Sequence, residues 1–184
     1  KLVSGDLTAG DGLGQSVAVS GNLAVVGAYL DDVTFTDQGS AYVFEWNGTS
    51  WVQQAKLVAS DAATDDQFGW SVAISGTTVV VGAHYDNGPG GTPVDLGSAY
   101  VFVRSGSTWV QQAKLVASDA TAGDSFGSSV AISADSVLVG AMKDDAPATS
   151  NNQGSAYVFV RSGTAWLQQA KLLAGDPLAG DYFG

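Results

Sequence analysis

The chain has 184 residues, 45% of them apolar, which is enough to bury a sizeable core or a stacked array of small units and excludes a disordered chain. A formal net charge of -11 leaves too little Lys and Arg for nucleic acid or an anionic membrane surface. Cysteine is absent, which rules out disulfide frameworks and thiolate metal centres, and no apolar run approaches the roughly 18 residues of a spanning helix.

Of the 18 acidic residues only Glu45 is Glu; all the others are Asp. Asp prefers turns and caps, where its short carboxylate bonds nearby backbone amides, whereas Glu, Lys and Arg populate helix surfaces. Helix is therefore expected to be nearly absent. No charged leader precedes an apolar stretch, but the chain opens at Lys1 rather than Met, so that absence carries no weight. Asn47-Gly48-Thr49 fits a glycosylation sequon and reads better as a hairpin turn.

In chain order the sequence restates itself. KLVSGDLTAGDGLGQSVAVSG begins at Lys1, KLVASDAATDDQFGWSVAISG at Lys56, KLVASDATAGDSFGSSVAISA at Lys114 and KLLAGDPLAGDYFG at Lys171, giving periods of 55, 58 and 57 residues. The repeats are thus 1–55, 56–113 and 114–170, with 171–184 opening a fourth. From each leading Lys to the Gly of the GA pair is always 26 residues, and from the Gly of GSAYVF to the next Lys always 17. Every insertion falls between them, at 29–38, 84–96 and 142–153, so these are surface loops on a packed framework.

Within the second repeat four strands are predicted in turn, at 71–75, 78–82, 98–104 and 109–117. Ser75-Gly76 and Ser105-Gly106-Ser107 separate them as hairpin turns would, which gives a four-stranded antiparallel meander. In the third strand Ala99, Val101 and Val103 oppose Tyr100 and Phe102, so both faces are apolar and must be covered by neighbouring copies, as in propeller blades. The first strand, with Ser71, Ala73 and Ser75, suits a crowded position near an axis. The fourth, with Gln111, Gln112 and Lys114, reads as an outer edge whose Lys discourages edge pairing.

Phe68-Gly69, Phe126-Gly127 and Phe183-Gly184, followed in the complete repeats by a strand and then Val-Gly-Ala, resemble the FG-GAP repeat of integrin α-subunit propellers and many bacterial surface proteins. The first copy has Leu13-Gly14 instead, and the Pro of GAP is replaced by Tyr29, His84 and Met142. The resemblance implies an all-β propeller and a secreted or cell-surface location. Calcium-binding members carry an Asp-rich loop between the FG and GAP strands. Here that place holds only Ser20-Gly21-Asn22, Ser75-Gly76-Thr77 and Ser133-Ala134-Asp135, too few oxygens for the six to eight that calcium takes, so the family's usual site is not carried over.

The carboxylates lie in other loops. Before each first strand, pairs recur five residues apart: Asp6 and Asp11, Asp61 and Asp66, Asp119 and Asp124, Asp176 and Asp181. Between the second and third strands stand Asp31, Asp32 and Asp37, then Asp86, Asn87 and Asp95, then Asp144, Asp145 and Asn152. In an up-down-up-down blade both families share one end. These nine residues are the candidate cation ligands, calcium being the cation they would take, while capping of turns is the competing and favoured role. Recognition of a basic partner is a third reading.

Only His84 could serve a His-dependent dyad or triad, and as a loop residue without His counterparts it reads as solvated. Paired carboxylates could hydrolyse a glycosidic bond, but a catalytic pair should break the repeat, whereas these recur in every copy. Trp51, Trp109 and Trp166 recur and read as packing. Trp46 and Trp70 do not recur and are the exposed candidates.

Residues 1–14 and 171–184 are copies of one segment and would compete for one place in a self-closed three-blade ring. The expected object is an open part of a ring or array, completed by further repeats or by other copies. The expected function is a non-catalytic extracellular scaffold that binds a protein or glycan, or self-assembles, with no required cofactor. The rival from another class is a propeller hydrolase using the Asp-rich face.

Overall fold

The computed structural model describes residues 2, 4–87, 94–145, 152–176 and 178–184. The middle parts of the second and third insertion loops, Lys1, Val3 and Pro177 lie outside them. No described residue is helical. Twelve strands form three antiparallel sheets of four: β1 (Leu13–Ser20), β2 (Leu23–Ala28), β3 (Ser40–Trp46) and β4 (Trp51–Leu57), then β5 (Ser71–Ser75), β6 (Thr78–Ala83), β7 (Ser98–Ser105) and β8 (Thr108–Leu115), then β9 (Phe126–Ser133), β10 (Ser136–Ala141), β11 (Ser155–Ser162) and β12 (Ala165–Leu172). Within each sheet the strands lie in chain order, so every blade is a meander. The fourth strand of the second blade ends at Leu115, two residues short of the predicted 117.

The blades stack face to face. The face of the second blade bearing Val72, Ile74, Val79, Val81, Tyr100 and Phe102 packs on Leu23, Val25, Ala41, Val43 and Leu57 of the first. Its other face, with Val80, Ala99, Val101 and Leu115, packs on Val137, Val139, Tyr157 and Phe159 of the third. Alternation of side chains along each strand thus makes one sheet contribute to two cores.

The first strands β1, β5 and β9 lie against one another and mark the inner side of the stack. The glycines of the second strands beside them are required there. A Cβ on Gly27 would lie 1.9 Å from the Gly69 carbonyl oxygen, one on Gly82 2.1 Å from that of Gly127, and one on Gly140 1.7 Å from that of Gly184. The second strand of each blade therefore meets the FG turn of the next, backbone against backbone. Parallel bridges Gly39 to Phe68, Gly97 to Phe126 and Gly154 to Phe183 fix the same joint. Phe68 and Phe126 then fill the cores edge-on to Tyr100 and Phe102, and to Tyr157 and Phe159.

Two aromatic readings need correction. His84 is not solvated: it is 2% exposed, its ring centre lies 4.3 Å from that of Trp70 and 3.9 Å from that of Tyr85, and its Nδ1 has no hydrogen-bond partner among the described residues. Trp70 is not an exposed candidate either, because it is half-buried against His84 and meets Tyr29 of the first blade edge-on at 5.1 Å. An aromatic neighbour just before β5, the strand paired with β6, draws in a loop residue that composition alone leaves outside. Trp166 is buried, Trp109 packs on the first core, and Trp51 is 37% exposed on a face that no sheet of the described residues covers.

Candidate functional site

Strand pairing positions the recurrent polar residues. Tyr42 pairs with Lys56, Tyr100 with Lys114 and Tyr157 with Lys171, each pair on adjacent third and fourth strands. Each ammonium lies 5.3 Å from the centre of its Tyr ring. The chain reaches the loop end of the blade there, and the two acidic families arrive from either side.

In the first blade Lys56 Nζ is 2.8 Å from both Asp6 and Asp31, and the Tyr42 hydroxyl donates to the same two carboxylates, at 3.2 and 2.9 Å. The second blade repeats this with Lys114 2.7 Å from Asp61 and 2.8 Å from Asp86, and with the Tyr100 hydroxyl donating to both. In the third, Lys171 is 2.8 Å from Asp119 and 2.6 Å from Asp144, and Tyr157 donates to both, at 3.0 and 3.3 Å. Ser40 and Ser155 add hydroxyl donors to Asp31 and Asp144, whereas the Ser98 hydroxyl has no partner among the described residues.

The electrostatics follow from the cluster. The Lys56 hydrogen bond holds the Asp6 carboxyl down at about 2. Burial works to raise Asp61 and Asp119, but Lys114 and Lys171 outweigh it and both titrate below the usual carboxylate range. Burial likewise opposes the charge on Lys56, Lys114 and Lys171, and hydrogen bonds to the carboxylates overcome it, so all three stay firmly protonated. Burial first, with the adjacent carboxylates adding to it at Tyr100, raises all three phenols, which remain donors. At neutral pH the three lysines and three phenols therefore keep their protons, and Asp6, Asp61 and Asp119 stay ionised beside them.

The nine candidate cation ligands separate into three roles. Asp31, Asp86 and Asp144 are buried, and each accepts a Lys. Asp32 accepts the Asp37 amide at 2.7 Å, Asn87 the Val94 and Asp95 amides at 2.9 and 3.3 Å, and Asp145 the Asn152 amide at 2.8 Å. Asp37, Asp95 and Asn152 carry φ of 48°, 46° and 54°, a left-handed turn that Asp and Asn tolerate better than most residues. The second Asp of each earlier pair accepts an amide three residues before it: Asp11 from Thr8 at 2.6 Å, Asp66 from Ala63 at 2.6 Å, Asp124 from Thr121 at 2.5 Å and Asp181 from Leu178 at 2.7 Å. The loops thus differ in length yet close by one clasp.

Among the described residues no three His, Cys, Asp or Glu side chains are grouped to hold a metal ion. A cation at the place where the two acidic families meet would have to displace an ammonium. Lys114, read from sequence as a guard on an edge strand, is instead turned onto Asp61 and Asp86. The cluster's Lys, Tyr and Ser members were not among the residues singled out. Their signal was present in the Lys that opens every repeat and the Tyr of every GSAYVF.

A protein-family model described as FG-GAP repeat matches residues 1–44, 51–102 and 109–159. A comparison with curated proteins gave no match.

Proposed function

Because the chain belongs to the FG-GAP repeat family, a family of integrin-like repeat scaffolds typical of extracellular and cell-surface proteins, we propose that it is a non-catalytic scaffold acting outside the cell by binding or by assembly. One observation carries this reading: the Lys, Tyr and two-Asp cluster recurs in all three blades, and each blade uses its own carboxylates to close its own loops. A catalytic centre needs one arrangement that differs from its repeats and leaves a charged group facing substrate. Here the acidic residues fix the blade end, and the stacking faces are what remains for partners. Those partners are further repeats, other copies, or a protein or glycan held on a blade face. On this reading no cofactor is needed, a view supported by the lysine that supplies the positive charge at each cluster.

Incubation of the purified chain with chromogenic glycosides and esters between pH 4 and 8 tests the reading. No turnover is expected. Turnover that Asp86→Asn abolishes while the chain stays folded would establish the hydrolase instead.

A further inference from the structure

The hairpin joining β3 to β4 differs from its two counterparts. Residues 47–50 read Asn-Gly-Thr-Ser, where the turns after β7 and β11 are built on Ser105-Gly106-Ser107 and Ser162-Gly163-Thr164. Its base is closed by Trp46, which pairs with Trp51 at a ring-centre distance of 5.8 Å, and by the Asn47 amide, which donates to the Ser50 carbonyl at 3.0 Å. Residues 47–50 are all exposed. That exposure does not depend on what lies beside the first blade, because residues 105–108, at the same turn of the blade stacked on both sides, are exposed as well.

Within this turn the Asn47 side chain is held in one posture. Its Oδ1 accepts the Thr49 amide, the Thr49 hydroxyl and the Ser50 amide, each at 2.9 Å, with the Ser50 hydroxyl at 3.5 Å. Its Nδ2 and the Gly48 amide donate to no described residue. Gly48 has a φ of 99° and nothing within 4 Å of where a Cβ would stand, so no side chain shields its nitrogen. Donors converging on a carbonyl oxygen stabilise the negative charge that forms when a nucleophile adds to that carbonyl. The chain itself brings such a nucleophile, since a bond from the Gly48 nitrogen to Asn47 Cγ closes a five-membered ring. Asn22, in the turn between β1 and β2, lacks this arrangement: it is followed by Leu23, and its Nδ2 donates to Glu45 at 3.0 Å.

We propose that Asn47 is a self-modification site, where the turn converts its own side-chain amide to a carboxylate through a cyclic imide with Gly48. Hydroxide takes the Gly48 amide proton, and the nitrogen's electron pair forms a bond to Asn47 Cγ while Oδ1 takes up the negative charge. As that charge returns to the carbonyl the Cγ–Nδ2 bond breaks, and Nδ2 gains a proton from water and leaves as ammonia. Water then adds to either carbonyl of the imide and breaks its bond to the Gly48 nitrogen. Opening at Cγ leaves aspartate, whose carboxylate the same donors hold. Opening at the main-chain carbonyl leaves an isoaspartyl link, which adds a methylene to the backbone between Trp46 and Trp51 and loosens the end of the hairpin.

The test is a time course on the full chain at pH 7 and pH 9, read by mass-spectrometric peptide mapping that resolves Asn47 from Asn87, which is also followed by Gly. Isoaspartate is measured separately by enzymatic methylation. Conversion of Asn47 is expected, faster at pH 9, with Asn22 unchanged. Thr49→Val removes the hydroxyl donor and is expected to slow conversion by about fivefold, the share of one hydrogen bond in water, and Thr49→Ser to keep the wild-type rate. An Asn47 that stays an amide at pH 9 overturns the proposal, and so does a Thr49→Val chain that converts as fast as the wild type.

Discussion

Lys114 sets its ammonium 2.8 Å from the Asp86 carboxylate, whose side chain is only 4% exposed. A carboxylate so far from water must be paired, and here its partner comes from the last strand of the same blade. Removing the lysine takes the ammonium from beside this buried carboxylate and leaves it the Tyr100 hydroxyl as donor. Lys114→Met is expected to cost about 3 kcal/mol, at the lower end for a broken buried pair because the lysine is partly solvated. Urea unfolding at pH 7 measures this, and Asp86→Asn in the Lys114→Met background should recover part of the loss.

The backbone contact at the inner side of the stack is equally exacting. Gly82 has an ordinary φ, yet an added Cβ would lie 2.1 Å from the Gly127 carbonyl oxygen. Gly82→Ala must therefore part the second and third blades rather than merely stiffen a strand. A loss on the order of 3 kcal/mol is expected, larger than the usual effect of Ala in a strand. Thermal melts of Gly82→Ala against Gly76→Ala, whose added Cβ meets nothing within 4 Å, separate crowding between blades from turn strain.

The fold was legible because the repeat told its own story. Alternating apolar groups on both faces of Ala99 to Val103 demanded a stack, and the fixed spacings located the loops. Half of the polar site was legible too, since the recurrent Asp residues marked the correct end of the blade. Their partners were not, because a lysine in a solvent-facing edge strand gives no sign that it turns over the neighbouring tyrosine. That turn depends on strand register. His84 was hidden for a related reason: Trp70 and Tyr85 enclose it, and Trp70 reaches it only across the strand pairing.

Two buried groups give stability opposite slopes with pH. Burial, with Lys143 adding to it, lowers His84 from 6.5 to about 4, so the unfolded chain binds a proton that the folded chain refuses. Its contribution is present above about pH 6.5 and lost as pH falls toward 4, on the order of 3 kcal/mol in all. His84→Met, which installs the residue found at Met142, should flatten that part of the stability profile in denaturant melts between pH 4 and 7.

Asp66 runs the other way. Burial raises its carboxyl to about 6 despite the hydrogen bond from the Ala63 amide, so folding favours the protonated form. Its contribution is present below about pH 4 and lost as pH rises through 6. Asn keeps an acceptor for that amide without the charge. Relative to wild type, Asp66→Asn should be more favourable at pH 7.5 than at pH 4 by on the order of 2 kcal/mol, and equal effects at both would contradict the assignment.

Whether the acidic face is held by the protein's own lysines and amides is tested most directly by paired melts in millimolar calcium and in excess chelator, at fixed ionic strength so that screening is constant. A site occupied at a hundredfold excess over its dissociation constant would add about 2.7 kcal/mol. The account predicts coincident melts for the wild type, and for Lys114→Met a calcium-dependent rise as the metal takes the place the ammonium left. A large calcium shift in the wild type, abolished by changing Asp86 to Asn together with Asp95 to Ala, would contradict it and make those carboxylates ligands rather than loop fasteners.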